Sequence, residues 1–255
     1  MTTDIQALID KRPHLREPLE FYARWQRFSR EAAEILPKGR AGIAPEDAQA
    51  YPRDCAGPVC ELFASIFDLP AEGLEPLRQA MAEGTVDFMQ LPTSEGREQS
   101  QPAADAGPTQ ALFLLSRPYF QQLRAGFPLD GGQWEEGRCP LCSAKPALAS
   151  IVEGPQRLLH CSFCGTVGQY RFIGCPGCGE TDPAQLGTIL SDDEPGFRVA
   201  TCDTCKTYLK VVESSVLKQM TMDQADLVSL PLDMVAQKKG FARMAPNPIG
   251  LKSLE

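Results

Sequence analysis

No P-loop, GxSxG nucleophile elbow or HExxH pattern occurs in the 255 residues. The phosphate cradle, the activated serine and the zinc-peptidase helix are therefore all missing. The glycines of the run IGCPGCGE stand beside cysteines and form no dinucleotide fingerprint. Long apolar runs are also missing: charges interrupt each one, and the longest, around Ala111 to Leu115, is far short of a membrane span. The opening MTTDIQALIDKRPHL holds no apolar stretch of signal-peptide length. These absences predict a soluble, cytoplasmic protein without membrane insertion. Positive charge is in short supply, with 25 Lys and Arg against 33 Asp and Glu and a formal net charge of -8. That argues against a protein whose main task is gripping nucleic acid, since phosphate neutralisation needs clustered Lys and Arg. Across Arg138 to Val212 basic and acidic residues nearly balance, with no aromatic–basic stripe, so nucleic acid is disfavoured as a partner.

What is present is globular: 43% hydrophobic and 23% charged residues, enough chain for one large domain or two ordinary ones. The first half reads as helical. Leu19, Tyr22, Trp25 (or Gln26), Phe28 and Ala32, with Ile35 and Leu36, form one apolar stripe, with Pro18 in the first turn and Pro37 and Gly39 as stops. Further helices are predicted over Pro58 to Leu69, Leu74 to Ala82 and Thr109 to Phe127, with Pro118 expected to kink or divide the last. Thr93 to Pro108 is polar, aperiodic and reads as a long loop, and Gly131-Gly132 as the domain boundary. After Gly137 short β-like runs take over: Ala147 to Val152, Arg157 to His160, Gln169 to Ile173, Gly187 to Leu190, Phe197 to Thr201 and Thr207 to Val212. Gly154-Pro155 and the acidic turn Asp192 to Gly196 look like hairpin tips, and a last amphipathic helix fits Met222 to Lys239, with Pro231 inside it and Gly240 at its end. The expectation is an α+β protein: an all-helical domain (1–132), two tandem rubredoxin-like or zinc-ribbon β modules (133–172 and 173–213), and a C-terminal helix and tail (214–255).

Eight of the ten cysteines fall in four CxxC pairs, Cys139/Cys142, Cys161/Cys164, Cys175/Cys178 and Cys202/Cys205. In a secreted chain ten cysteines would suggest disulfides; in a reduced compartment, paired CxxC spacing points to metal. A CxxC turn aims two thiolates at one point, and two such turns facing each other complete a tetrahedron around an ion. Eighteen residues separate the first two pairs and twenty-three the last two, room for one hairpin in each interval. Each module thus reads knuckle, hairpin, knuckle, closing strand. Scattered core thiols do not explain four such pairs, and thiol–disulfide exchange uses one CxxC at a helix start. Sequential pairing keeps each loop short and is preferred, with interleaved pairing as the alternative. Gly165 and Gly179 follow their second cysteines, where a positive φ is useful, whereas Ser143 and Lys206 hold the equivalent places at some cost.

Four thiolates suit iron or zinc, and leave each divalent site near -2. Arg138, Arg171 and Lys206 either offset that charge or are ordinary solvated surface. Cys55 and Cys60 read as small buried hydrophobes, and His160, beside Cys161, as a strand or surface residue. Closed four-sulfur sites offer substrate no coordination position, so no enzyme is expected.

The run CPLC, LLHCSFC, CPGCGE, CDTCKTYLKVV, then ADLVSLPLDMVAQKKGFARMAPNPIG, spanning roughly Arg138 to Gly250, resembles the formate dehydrogenase accessory (formation) protein family, FdhE. The helical half resembles that family only in general character, through its EFYARWQRF segment. The resemblance implies a cytoplasmic protein needed for active respiratory formate dehydrogenase, binding the catalytic molybdenum subunit before export. It also implies rubredoxin-like iron, with zinc as the alternative, as two ions on Cys139, Cys142, Cys161, Cys164, Cys175, Cys178, Cys202 and Cys205.

Overall fold

The computed structural model describes residues 4–36, 45–86, 90–92, 106–125, 132–152 and 154–254. They fall into two compact units, Phe21–Pro128 and a second made of Met1–Glu20 with Leu129–Glu255. The expected stops at Pro37 and Gly39, most of the loop from Thr93, and Gly131 of the expected boundary lie outside the described residues.

The helical stretch contains α1 (Ile5–Lys11), α2 (Arg16–Ile35), α3 (Pro45–Phe67), α4 (Glu75–Glu83) and α5 (Ala106–Ala125). The expected stripe on α2 is the buried one, Leu19, Tyr22, Trp25, Phe28 and Ala32 all being inside. Within the Phe21–Pro128 unit, Phe28 meets Phe63 edge-on at 5.0 Å and Phe63 stacks on Phe67 at 4.4 Å, a geometry that favours aromatic packing. Helix α3 starts at Pro45, ahead of the expected Pro58, and α5 takes in Ala106 to Pro108 from the end of the expected loop.

Pro118 does not divide α5. A proline removes the N–H that would bond to the carbonyl four residues back, here that of Leu114. That carbonyl instead accepts a hydrogen bond from the Trp25 indole N–H at 3.1 Å, so no buried acceptor is orphaned.

The second unit holds one sheet. Strands β1 (Pro146–Val152), β2 (Gln156–Cys161) and β3 (Val167–Tyr170) form one antiparallel meander, and β4 (Leu186–Leu190), β5 (Phe197–Cys202) and β6 (Thr207–Glu213) another. The sheet order is β3-β2-β1-β6-β5-β4, because β1 and β6 pair in parallel over Leu148↔Lys210 to Ile151↔Glu213. Two ribbon modules therefore share a continuous hydrogen-bonded ladder. Turns fall where glycine permits a left-handed backbone, at Gly154 (φ 80°) between β1 and β2 and at Gly196 (φ 82°) between β4 and β5. In the second turn Glu194 is buried and pairs with Arg12 at 2.9 Å, which ties the segment after α1 to this unit.

After β6 come α6 (Ser214–Leu217), α7 (Met222–Val228), α8 (Leu230–Lys238) and the short strand β7 (Ala242–Arg243), which pairs with β6. The single helix expected over Met222 to Lys239 is two. Thr221 and Gln224 cap α7 reciprocally, the chain breaks at Ser229, and Pro231 occupies the first turn of α8, where its missing N–H does no harm. Four buried charges lock this end onto β6. Lys210 reaches Asp226 at 2.6 Å and Asp233 at 2.5 Å, while Arg243 bonds Asp233 at 2.6 Å and also Asp226. The Tyr208 hydroxyl donates to Asp233 at 2.7 Å. Two cations against two carboxylates leave the cluster neutral, which is what burial demands.

Two sulfur quartets on one sheet

Each quartet sits at one end of its meander. The sulfurs of Cys139, Cys142, Cys161 and Cys164 lie within 4.8 Å of one another, and those of Cys175, Cys178, Cys202 and Cys205 do likewise. The grouping is sequential. Three of the four knuckles close by backbone hydrogen bonds: Ser143 N–H to Cys139 C=O at 2.8 Å, Cys161 N–H to Thr166 C=O at 2.9 Å, and Gly179 N–H to Cys175 C=O at 2.8 Å. The turns need left-handed residues. Gly165 (φ 75°) and Gly179 (φ 83°) supply two of them, and Ser143 (φ 61°) and Lys206 (φ 53°) adopt the same conformation without glycine's freedom.

Sulfur–sulfur separations of 3.5 Å (Cys139–Cys164), 3.4 Å (Cys142–Cys161), 3.6 Å (Cys175–Cys205) and 3.7 Å (Cys178–Cys202) are far too long for disulfides. They are close to the edge of about 3.8 Å for a tetrahedron whose metal–sulfur distance is about 2.3 Å. The residues fit one ion per quartet. The Cys142 sulfur draws the Cys139 thiol down, but burial pushes the Cys142 and Cys161 thiols well up, and that of Cys175 to about 12, so these three by themselves favour protonation. A dication in their midst reverses that preference, since coordination deprotonates a thiol outright.

The supporting contacts repeat. Thr166 Oγ1 lies 3.0 Å from Cys164 Sγ, and Thr207 Oγ1 lies 3.0 Å from Cys205 Sγ. The Phe163 N–H points to Cys161 Sγ at 3.4 Å, and the Gly177 N–H to Cys175 Sγ at 3.3 Å. Donors of this kind orient thiolates and spread their charge. The Cys-x-Thr spacing after both closing knuckles was the available sequence signal, and sequence reasoning passed over it.

Of the three cations expected near the sulfurs, Arg138 donates to the Ser143 carbonyl at 3.3 Å, Arg171 stacks over Tyr170 at 5.2 Å, and Lys206 pairs with Asp203 at 2.6 Å. Two further cations bond the backbone around the first knuckle of the second quartet. Lys145 Nζ, half-buried, bonds the carbonyls of Pro176 at 2.9 Å and Gly177 at 3.1 Å, clamping the Cys175–Cys178 knuckle from the neighbouring module. Arg157, buried in β2, donates to the Gly174 carbonyl at 2.8 Å and feels the charge of Cys175.

Cys60 is buried, with its thiol pushed up to about 11 by burial, and Cys55 is half-buried against the Ile35 carbonyl at 3.8 Å. Neither is a member of a quartet. His160 stands on β2, buried, with Nε2 at 2.7 Å from Ser150 Oγ, and burial lowers its pKa to about 4. It is a neutral strand residue. No helix among the described residues is long and apolar enough to cross a membrane.

Fold and site together define a class: a helical region followed by a paired four-cysteine ribbon sheet with C-terminal helices. The FdhE C-terminal domain family matches residues 173–249, a span containing the second quartet and the helices after it. An FdhE homologue of Aquifex aeolicus is 29% identical over 145 residues, covering 54% of this chain and 51% of the relative. One from Proteus mirabilis is 27% identical over 224 residues, 82% of this chain and 71% of the relative. The match thus spans about half the length of the Aquifex relative, and 39% of that from Shewanella oneidensis. The crystal structure of the FdhE protein from Pseudomonas aeruginosa superposes with a TM-score of 0.67 at 20% identity, covering 96% of this chain and 92% of that one, a likeness that speaks for the fold. The C-terminal part of the chain is thus similar to the FdhE family in sequence, and the whole chain is similar to an FdhE protein in fold.

Proposed function

We propose that this chain is a cytoplasmic accessory protein for forming active respiratory formate dehydrogenase, and that it binds the catalytic subunit through a scaffold carrying two metal ions. Cys139, Cys142, Cys161 and Cys164 hold one ion, and Cys175, Cys178, Cys202 and Cys205 the other. The observation that carries the reading is the closure of all eight sulfurs into two tetrahedron-sized quartets in a chain whose residues 173–249 match the FdhE C-terminal domain family. We read the domains as 1–132, 133–172, 173–213 and 214–255, and the protein as no enzyme, because four sulfurs fill a tetrahedral ion and leave substrate no open position.

Iron is the proposed metal. When bound by four thiolates it supplies one-electron chemistry, which zinc does not. What the chain itself contributes is enclosure, thiol–hydroxyl and N–H···S contacts, and the Lys145 clamp. The test is anaerobic purification followed by elemental analysis, visible absorption, and capture of the formate dehydrogenase catalytic subunit. About two irons per chain with reversible bleaching, and retention of that subunit, are expected. Two zincs without a redox response would overturn the iron assignment. Failure to retain the catalytic subunit would overturn the accessory function.

A further inference from the structure

Beside the second quartet, the sheet face over β4, β5 and β6 carries a cavity of about 170 Å³. Its walls include Arg157, Phe172, Ile173, Leu186 and Thr188. That volume is below the roughly 300–1,000 Å³ of sites for drug-sized ligands, so it suits one or two side chains rather than a cofactor.

Three properties of this spot point to a peptide. First, Phe172 and Ile173 are 47% and 55% exposed, and Leu190, which shares a strand face with Leu186 and Thr188, is 73% exposed. These are three of the six large apolar side chains left exposed among the described residues, gathered on one face, and such a patch marks an interaction site. Second, β4 ends the sheet: among the described residues no strand lies beyond it, so its outer backbone groups are open to an added strand. Third, Arg157 is only 5% exposed, yet its Nε has no hydrogen-bond partner, and no carboxylate pairs with it among the described residues. Arg157 bonds the Gly174 carbonyl through one terminal nitrogen, but a buried guanidinium whose Nε–H lacks an acceptor is costly, and an arriving carboxylate supplies one.

We propose that this cavity docks an extended, aliphatic–acidic segment of a partner protein, which lies along β4, seats an aliphatic side chain against Phe172 and Ile173, and presents a carboxylate to Arg157. The proposal rests on the reading of the chain as a partner-binding protein and places the contact beside Cys175 and Cys202.

The probe is a pair of blocked peptides, Ala-Leu-Glu-Leu-Ala and Ala-Leu-Gln-Leu-Ala, titrated into the metal-loaded full chain and followed by amide chemical shifts. The glutamate peptide is expected to bind about tenfold more tightly, as a charge-assisted bond to Arg157 requires, with shifts centred on Phe172, Ile173 and Thr188. Arg157→Met should erase that preference, and Phe172→Ser should weaken both peptides at unchanged metal content. Should Arg157→Met fail to fold, the exposed Phe172→Ser and the paired peptides still decide. Equal binding of the two peptides, no saturable binding, or shifts centred elsewhere would overturn the pocket. Capture of the formate dehydrogenase catalytic subunit then separates the two readings. If the unmodified chain does not retain it, the accessory function fails and the peptides alone judge the cavity. If the unmodified chain retains it and Phe172→Ser with Ile173→Ser leaves retention unchanged, the cavity proposal fails and the function stands.

Discussion

The two quartets share ligand type, knuckle geometry and a common sheet, yet differ in access to water. In the first, Cys139, Cys142, Cys161 and Cys164 are between 0% and 4% exposed. In the second, Cys175 and Cys202 are buried, Cys205 is half-buried and Cys178 is exposed. The same chemical set is thus sealed in one meander of the sheet and open in the other. A sealed tetrathiolate acts as a fold-stabilising crosslink, whereas an open one can meet a chelator, an oxidant or a partner. The comparison teaches that ligand spacing defines a metal site but not its role, which depends on what covers it.

The largest expected effect tests that division directly. Cys161→Ser should cost the first ion and, because structural metal binding is itself folding free energy, abolish the cooperative unfolding transition of the sheet. Cys178→Ser, at the exposed corner, should leave that transition in place while the metal content falls to about one ion per chain. Calorimetry with elemental analysis checks both. Equal damage from the two substitutions would erase the proposed contrast.

Next in size is the charge cluster that holds the C-terminal helices beside the open quartet. Asp233→Asn leaves Lys210 and Arg243 short of a carboxylate in a dry site, and should destabilise by about 3–5 kcal/mol in denaturant titration. The pH dependence has a definite sign. Against the penalty of burial, Arg243 and Lys210 hold the Asp233 carboxyl below its ordinary 3.8. Its contribution is therefore present above that pH and is lost as pH falls through the folded value. The substituted protein should lack this acid-side loss, and an unchanged acid limb would show the cluster to be energetically idle.

Access should also appear as rate. With an excess of chelator the ions are expected to leave in two phases, the second quartet's first and faster by about tenfold or more, since a buried site must open before it releases. Absorbance of the chelator complex reads the phases, and Cys178→Ser should delete the fast one. A single phase in the unmodified chain, or survival of the fast phase in Cys178→Ser, would assign the lability wrongly.

Much of this arrangement was legible in the residues. The CxxC pairs, their spacing and the glycine-bearing turns are local signals, and the six long strands fall within a few residues of the apolar runs that announced them. The fused sheet was not legible, because the parallel pairing of Leu148 with Lys210 joins positions far apart in sequence, and no periodicity encodes partner choice. Nor were the buried charges: Lys210 in TYLKVV reads as a solvent-facing strand residue until Asp226 and Asp233 are brought over it. That Pro118 leaves its helix undivided was not legible either, because Trp25 satisfies the freed Leu114 carbonyl from outside, a tertiary remedy that a local rule cannot see. The shielding of the first quartet and the exposure of the second depend on the same long-range packing.

The smallest prediction concerns the two knuckles that lack glycine, one in each quartet. Ser143 and Lys206 are held at φ 61° and 53°, where a Cβ costs on the order of 1 kcal/mol. Glycine removes that strain but adds freedom to the unfolded chain, so the net gain is bounded at roughly 1 kcal/mol or less. At the sealed quartet Ser143 contributes its backbone, accepting from Arg138 and donating to Cys139, and Ser143→Gly keeps both bonds. At the open quartet Lys206 adds an exposed pair with Asp203 at 2.6 Å and a contact over the Phe241 ring at 5.7 Å, and Lys206→Gly loses them. Those losses are together worth up to about 1 kcal/mol, which cancels much of the gain. Ser143→Gly should therefore raise the denaturant midpoint and Lys206→Gly should scarcely move it. The reverse order would mean that the left-handed turns carry no strain worth relieving, and that side-chain contacts alone set the stability of each knuckle.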